Sequence, residues 1–509
     1  MTSPLTRRDF LKLSAAASLA GLGSRLPLSF PADRMQKDQP PGVLVVLFDA
    51  LAAANLSLYD YPRQTSPHLE RFARSSTVYH NHHAAGNYTT PSTASLFTGT
   101  YPWTHRAFNL SSLVSPQVQA KNLFRLLDGT YHQAAFAQNT FADMLLYQFH
   151  KHLDSHEAVD RFSLAGRTFY DNLFRRDAIY GMKSMDQFLF KREEAHGSLF
   201  FSLFNDLATQ LSYKLQASRL KADYASGPPR LANTDVYFHI GQVMDGVLEM
   251  LTELPAPGFT YLHFMPPHMP YVPRREFTGL FTDGWSPPVK KKHRLAPGVS
   301  HERLVDLRMS YDQFVVDLDS EFGRLVDYLE SSGFMDRGYV IFTSDHGELF
   351  ERGASGHSTP LVFEPLIRVP LVIHAPGQVQ RKDVNALTSN VDLLPTLAQV
   401  AGLPLPEWCE GRPLPGIGGQ EDSSRGIYVV EAKANAAYST LRKATLVLMR
   451  GDYKLVHYLG YKYYQDAYEF YDLENDPEEL QNLYPDHPAA RELQVELDQQ
   501  LTRVNRAYL

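Results

Sequence analysis

Two segments far apart in this chain hold the side chains best suited to chemistry. Asn87-Tyr88-Thr89-Thr90-Pro91-Ser92-Thr93 offers hydroxyls where a loop reads as entering a helix, a place whose free backbone N–H groups favour an anion. Thr343-Ser344-Asp345-His346-Gly347-Glu348 offers a carboxylate and an imidazole directly after the apolar run Tyr339-Val340-Ile341-Phe342, which reads as a buried parallel strand. In open α/β sheets ligands collect at the carboxyl ends of strands. The pair therefore reads as a metal-activated nucleophile, because a Thr hydroxyl attacks poorly at neutral pH unless a base or a metal lowers its pKa.

The elements that must carry these segments alternate between strand and helix patterns. Asp306 to Ser331 places Leu307, Met309, Phe314, Val315, Leu318, Phe322, Leu325 and Leu329 at helical spacing and stops at Gly333. The strand that delivers Asp345 follows at once, a βαβ pattern. The expected fold is α/β, a large mostly parallel central sheet flanked by helices. A smaller C-terminal antiparallel α+β unit over 416–509 is expected after the Gly-rich stretch Gly416 to Ser424. Its strands are Ile427-Val430, Thr445-Met449, Tyr453-Val456 and Tyr468-Leu473, and a last amphipathic helix covers about Pro488 to Val504.

Several signatures stand in one order: Val43 to Asp49, Ser66-Pro67-His68-Leu69, the Thr89 segment, His263-Phe264-Met265-Pro266-Pro267-His268, the Asp345 segment, Gly356-His357 and Arg368-Val369-Pro370-Leu371. In that order they resemble the sulfatase branch of the alkaline phosphatase superfamily, whose sandwich-like fold the chain is expected to share. The resemblance covers nearly everything after residue 40, with 40–415 as the catalytic domain. Between 109 and 254 the signatures fade into a Phe-, Tyr- and Leu-rich region, including Leu199 to Phe204, that reads as the source of substrate specificity.

The nucleophile motif departs from the family. Sulfatases carry a Cys or Ser that becomes formylglycine in Cys/Ser-x-Pro-Ser-Arg; here the residues are Thr89-Thr90-Pro91-Ser92-Thr93. Thr cannot become formylglycine, the Arg is absent, and the single Cys, Cys409, stands far away. A Thr nucleophile resembles the phosphoethanolamine transferases and nucleotide phosphodiesterases of the superfamily, which moves the expectation from sulfate towards phosphate esters. The resemblance implies metal ligation by Asp49, Thr89, Asp345 and His346. Two carboxylates, an imidazole and an alkoxide suit one divalent Zn²⁺ or Mn²⁺ better than Ca²⁺ or Mg²⁺. His346 and Ala50 also stand where sulfatases typically have Asn and a second Asp.

His268 and His357 match family positions that contact the substrate's anionic group, and an imidazole there can pass a proton to the leaving alkoxide. His263 is a further substrate-binding candidate. His82 and His83 read as packing or surface residues, and Asp235 and His239 as an ordinary helical polar pair.

Composition fits a large enzyme. The chain has 509 residues, 44% of them hydrophobic, and a formal net charge of -7, which excludes nucleic acid as an expected partner. Lys290-Lys291-Lys292-His293-Arg294, between Pro-rich stretches, reads as a solvated loop or a rim for an anionic substrate or headgroup, so membrane contact stays open. Thr6-Arg7-Arg8-Asp9-Phe10-Leu11-Lys12 and the apolar run Leu13 to Leu22 match a twin-arginine export signal, with signal and leader over 1–38. That run is too short for an ordinary transmembrane helix, so an extracytoplasmic enzyme without an anchor is expected, with the twin-arginine machinery as partner.

The leading reading is a metal-dependent hydrolase of a small-molecule, lipid or glycan phosphate or sulfate ester, acting through Thr89 and a covalent intermediate. A headgroup transferase of the phosphoethanolamine type and a catalytically silent binding protein are the alternatives.

Overall fold

The structure, a computed structural model, describes residues 40–164, 220–225, 227–231, 236–464 and 466–509. The twin-arginine segment, Leu199 to Phe204 and Asp235 lie outside the described residues. Eight strands form the main sheet in the spatial order Lys382–Val384, Thr77–Tyr79, Leu371–His374, Gly338–Thr343, Gly42–Asp49, Gly258–Pro267, His132–Ala137 and Ser155–Glu157. Leu371–His374 is antiparallel to both of its neighbours, and the other adjacent pairs are parallel.

The central strand Gly42–Asp49 explains why both sheet faces are covered. Its even residues Leu44, Val46 and Phe48 pack with Val315, Phe322 and Phe342, and its odd residues Val43, Val45 and Leu47 pack with Phe97, Tyr261 and Ile341. Alternate side chains of a strand point to opposite faces, so an unbroken apolar run is what two covered faces require. Phe48 stacks on Phe264 with ring centroids 5.1 Å apart, and Phe322 meets Phe342 edge-on at 4.7 Å.

The long helix runs from His301 to Ser331 and starts one turn before the sequence pattern suggests. The Ser300 hydroxyl caps it by accepting from the Arg303 N–H, and the first turn, His301-Glu302-Arg303, is polar and carries no apolar signal. Three of its buried polar groups reach the segment that follows the strand Gly42–Asp49. Tyr311 donates to the Ala50 carbonyl at 2.7 Å and accepts from the Ala52 N–H at 3.0 Å; Asp312 accepts from Asn55, Tyr61 and Arg63. Asp319 accepts from the His68 and Leu69 N–H groups at the start of the helix Pro67–Ala73.

The four C-terminal strands, Gly426–Glu431, Ala444–Arg450, Tyr453–Leu459 and Ala467–Asp472, form an antiparallel sheet, as their alternation suggests, and the last helix runs from Pro488 to Asn505. Both faces of this sheet are shared with the larger α/β part. Val430, Leu446 and Leu448 pack with Tyr101, Trp103 and Val391, while Val429 and Val447 pack with Leu361 and Leu366. His239 caps the helix Ile240–Glu253 rather than lying within it. The basic loop is also less solvated than expected. The Lys290 ammonium is buried against Glu351 and Glu478, at 2.7 and 2.5 Å, and His293 meets Glu469 at 3.1 Å.

Candidate active site

Register brings the site together. Leu47 lies beside His263 on one side and Thr343 on the other, and His263 lies beside Ala137. Asp49, Asn139 and Asp345 each stand two residues beyond that row, at the carboxyl ends of three parallel strands. All are buried, as are His263 and His346.

Thr89 is the first residue of a ten-residue helix ending at Thr98, every residue of which is buried. Tyr88 enters in an extended conformation and gives no side-chain cap, so the first-turn N–H groups stay available to an anion. Gly99 closes the helix at φ 65°, a left-handed conformation that favours glycine. The Thr89 hydroxyl lies 3.5 Å from His346 Nε2 and accepts from Asn139 Nδ2 at 3.2 Å. The Thr90 hydroxyl turns away and donates to the Leu110 carbonyl.

The two carboxylates are unevenly bonded. Asp49 Oδ2 accepts from Asn139 and lies 3.2 Å from His263 Nε2, and Asp345 Oδ1 accepts from the Ala50 and His346 N–H groups. Asp49 Oδ1 and Asp345 Oδ2, both buried, have no hydrogen-bond partner. These two orphan oxygens lie 3.6 and 3.5 Å from His346 Nε2. Ligand atoms about 2.0–2.1 Å from a tetrahedral ion sit about 3.3–3.4 Å from one another. Asp49 Oδ1, Asp345 Oδ2 and Thr89 Oγ1 therefore each stand close to that separation from His346 Nε2. Asp49, His263 and Asp345 also form a compact group whose ligand atoms lie within 4.8 Å of one another. His263, however, meets the Asp49 oxygen that Asn139 already occupies, and its Nδ1 faces the Tyr261 hydroxyl at 3.0 Å. We read it as orienting Asp49, a different place from the substrate-binding one expected of it.

His268 and His357 close the other side. Their rings lie 4.8 Å apart, and His357 lies 4.4 Å from His346. His268 Nδ1 sits 2.7 Å from the Met269 carbonyl; His357 Nδ1 sits 2.9 Å from Glu348 Oε1, whose partner oxygen accepts from Tyr271. With Nδ1 so engaged on both rings, Nε2 is the atom left for a substrate. Burial pushes the Asp49 carboxyl up, but the imidazoles of His268, His263 and His346 outweigh it and hold the group well below the usual carboxylate range. Glu348 follows the same pattern: burial raises it, and His357, His268 and His346 bring it below its ordinary value.

Sequence reasoning missed Asn139, Asn390 and the partnership of Glu348. Asn139 also caps the helix Thr140–Gln148, its Oδ1 accepting from Phe141 and Ala142. An Asn two residues after the run Ala134 to Ala137 was the available signal. Asn390 donates to the Asp345 carbonyl at 3.2 Å and meets His82 at 2.9 Å. His82 and His83 are buried packing residues, the latter 3.0 Å from Glu364. Cys409 packs against Gly99, and burial pushes its thiol up to about 12. Thr93, where the motif's Arg would stand, has a buried hydroxyl without a partner. Lys433, just after the strand Gly426–Glu431, reaches the segment before Thr89, its ammonium 5.9 Å from the Tyr88 ring.

Comparison with known proteins gives the family. The sulfatase family model matches residues 41–403, and the model for the C-terminal part of N-sulphoglucosamine sulphohydrolase matches 357–507. The chain belongs to the sulfatase family. It is 32% identical to a choline-sulfatase of Rhizobium meliloti over 43% of this chain, an alignment spanning 45% of that relative's length. It is 22% identical to an N-acetylgalactosamine-6-O-sulfatase of Bacteroides thetaiotaomicron over 92% of this chain and 95% of that one. The crystal structure of the phosphonate monoester hydrolase of Agrobacterium radiobacter superposes with a TM-score of 0.64 at 19% identity, over 92% of this chain and 96% of that one. The fold is the alkaline-phosphatase-like sandwich, with its mostly parallel sheet and small antiparallel sheet.

Proposed function

We propose that this chain is an exported, metal-dependent ester hydrolase that transfers a phosphoryl, phosphonyl or sulfuryl group to Thr89 and then to water. The observation that carries the reading is the convergence of the Thr89 hydroxyl, His346 Nε2 and two orphan carboxylate oxygens, with Thr90 turned away. Asp49, Asp345, His346 and Thr89 would hold one divalent ion, Zn²⁺ or Mn²⁺ by donor chemistry, which supplies a Lewis acid that makes a hydroxyl nucleophilic near neutral pH.

Asn139 holds the Thr89 oxygen by its Nδ2–H, and the first-turn N–H groups of its helix face the incoming anion. Attack by Thr89 Oγ, already deprotonated to the alkoxide, forms a Thr89 ester and breaks the bond to the leaving oxygen, and the same alkoxide is released when that ester is cleaved. His357, oriented by Glu348, delivers the proton that oxygen needs, and His268 donates to the non-bridging oxygens. Water then cleaves the Thr89 ester, with His357 accepting its proton. Export rests on Arg7 and Arg8 ahead of the apolar run Leu13 to Leu22.

The test is a parallel screen of aryl phosphate mono- and diesters, phosphonate monoesters and aryl sulfates with metal-loaded protein. Mass spectrometry of enzyme quenched during turnover accompanies it. A modified peptide containing Thr89 is the expected result. Turnover without any such adduct, and undiminished in Thr89→Ala, would replace the covalent route by direct attack of water.

A further inference from the structure

The Pro-rich strap from Trp285 to Val299 leaves a cavity of about 470 Å³ beneath it, lined by none of the catalytic candidates. The strap is fastened at both ends of its basic run. Lys290 is paired with Glu351 and Glu478, the His293 N–H donates to the Arg352 carbonyl, and the Gly298 and Val299 N–H groups donate to the Gly353 carbonyl. The floor is the hairpin Leu349–Glu351 and Ala354–Gly356 together with the first turns of the long helix.

The charges around this space do not balance. Glu351 is already matched by Lys290 and, at 3.2 Å, by Arg352, and Glu478 is matched by Lys290. Lys291 and Lys292 are exposed, and neither forms an ion pair among the described residues. Arg308 is 9% exposed; its Nε is buried without a partner, and its nearest carboxylate oxygen, on the already matched Glu351, is 3.9 Å away. A solvated lysine loop needs no explanation, but a buried guanidinium with an unmet N–H does, because a buried donor left without an acceptor is costly even where Glu351 and Asp312 offset the charge. The remaining wall is apolar, from Trp285, Pro287, Tyr61 and Phe350, with the Tyr61 and Trp285 rings edge to face at 5.6 Å and the Arg63 guanidinium over the Trp285 ring. Ligand sites are typically of this size, largely apolar with a few convergent polar groups.

We propose that this cavity binds an organic anion with a flat body: a ring bearing a sulfate, phosphate or carboxylate group. The anionic head meets Arg308, Lys291 and Lys292, and the ring lies against Trp285. The site is separate from the catalytic centre and does not depend on the reading of Thr89 as nucleophile.

Naphthalene-2-sulfonate, which carries no hydrolysable ester, is the probe. Its titration into purified full-length protein is followed by calorimetry and by tryptophan emission, with Trp285→Phe identifying the responding residue. The expected result is saturable binding that quenches Trp285. Lys291→Glu with Lys292→Glu should weaken it by about tenfold or more, and His357→Ala should leave it unchanged. Both lysines are exposed, so the double variant is expected to fold, and circular dichroism checks that. The proposal is overturned by absence of saturable binding, by binding indifferent to the charge reversal, or by binding lost in His357→Ala, which would put the probe in the catalytic centre.

Discussion

Asp345 and Asp392 are both completely buried, yet the protein treats their charges in opposite ways. Asp392 Oδ2 accepts from the Ser389 N–H and from Arg425, and its Oδ1 accepts from the Arg412 N–H and again from Arg425. Every lone pair that matters has a donor, and a guanidinium neutralises the charge. Asp345 Oδ1 accepts two backbone N–H groups, but its Oδ2 has none, and no Lys or Arg is paired with it among the described residues. Asp49 repeats that half-bonded pattern. A saturated buried carboxylate has its acceptors met by the fold; a half-bonded one keeps one oxygen unmet.

The comparison breaks first at Thr89. Thr89→Ala should lower turnover on the order of a thousandfold or more, as loss of a nucleophile does. Thr89→Ser should keep measurable activity, and Thr90→Ala should cost little, since its hydroxyl serves Leu110. Steady-state rates on the best substrate of the screen decide it, and a dead Thr90→Ala beside a live Thr89→Ala would move the nucleophile by one residue.

The two aspartates themselves come next. Asp345→Asn should remove most bound metal, read by elemental analysis, at modest cost in stability. Asp392→Asn should behave in reverse, losing about 3–5 kcal/mol in urea unfolding because Arg425 is left buried and unpaired, while the folded fraction keeps its metal. Equal metal loss in both variants would erase the distinction drawn here.

Asn139 sharpens the boundary between the two kinds of residue, because it has one amide end in each. Asn139→Ala should cost about 10–100-fold in activity or metal affinity and about 1 kcal/mol of helix capping. Asn139→Asp keeps the cap acceptor and loses the donor, so it should show only the functional part. If Asn139→Asp matches wild type in rate, the donor to Asp49 and Thr89 has no role.

The effect furthest from the site's chemistry is a pH dependence behind Asn390. Burial holds the His82 imidazole down at about 4 despite the nearby Asp392 carboxylate. Between pH 6.5 and 4 the unfolded chain takes up a proton that the folded chain refuses. His82 therefore contributes stability above pH 6.5 that is lost as pH falls, by ~3 kcal/mol at most. Urea midpoints measured from pH 7 to 4 should slope less steeply in His82→Gln than in wild type; identical slopes would assign the acid sensitivity elsewhere.

Much of this was legible in the sequence where the signal is local. The apolar run Tyr339 to Phe342, the helical spacing from Leu307 to Leu329 and the four C-terminal strands each carry their period within one element, and the structure has all of them. The meeting of Asp49, Thr89, Asp345 and His346 was foreshadowed by motif order. What stayed hidden was set by contacts between elements. Lys290 looks solvated until Glu351 and Glu478 arrive, and nothing local to Asn139 says that two other segments will meet its amide.

The row shared by Leu47, Thr343 and His263 makes the centre a reporter of strand alignment. A slip of one residue in Gly338–Thr343 would turn Asp345 to the opposite face of the sheet, and no four-donor cluster would form. An ion that binds only the aligned sheet stabilises that arrangement in proportion to the logarithm of its concentration over its dissociation constant. On the proposed metal-dependent reading, loading would act as a proofreading step for a sheet assembled from strands distant in the chain.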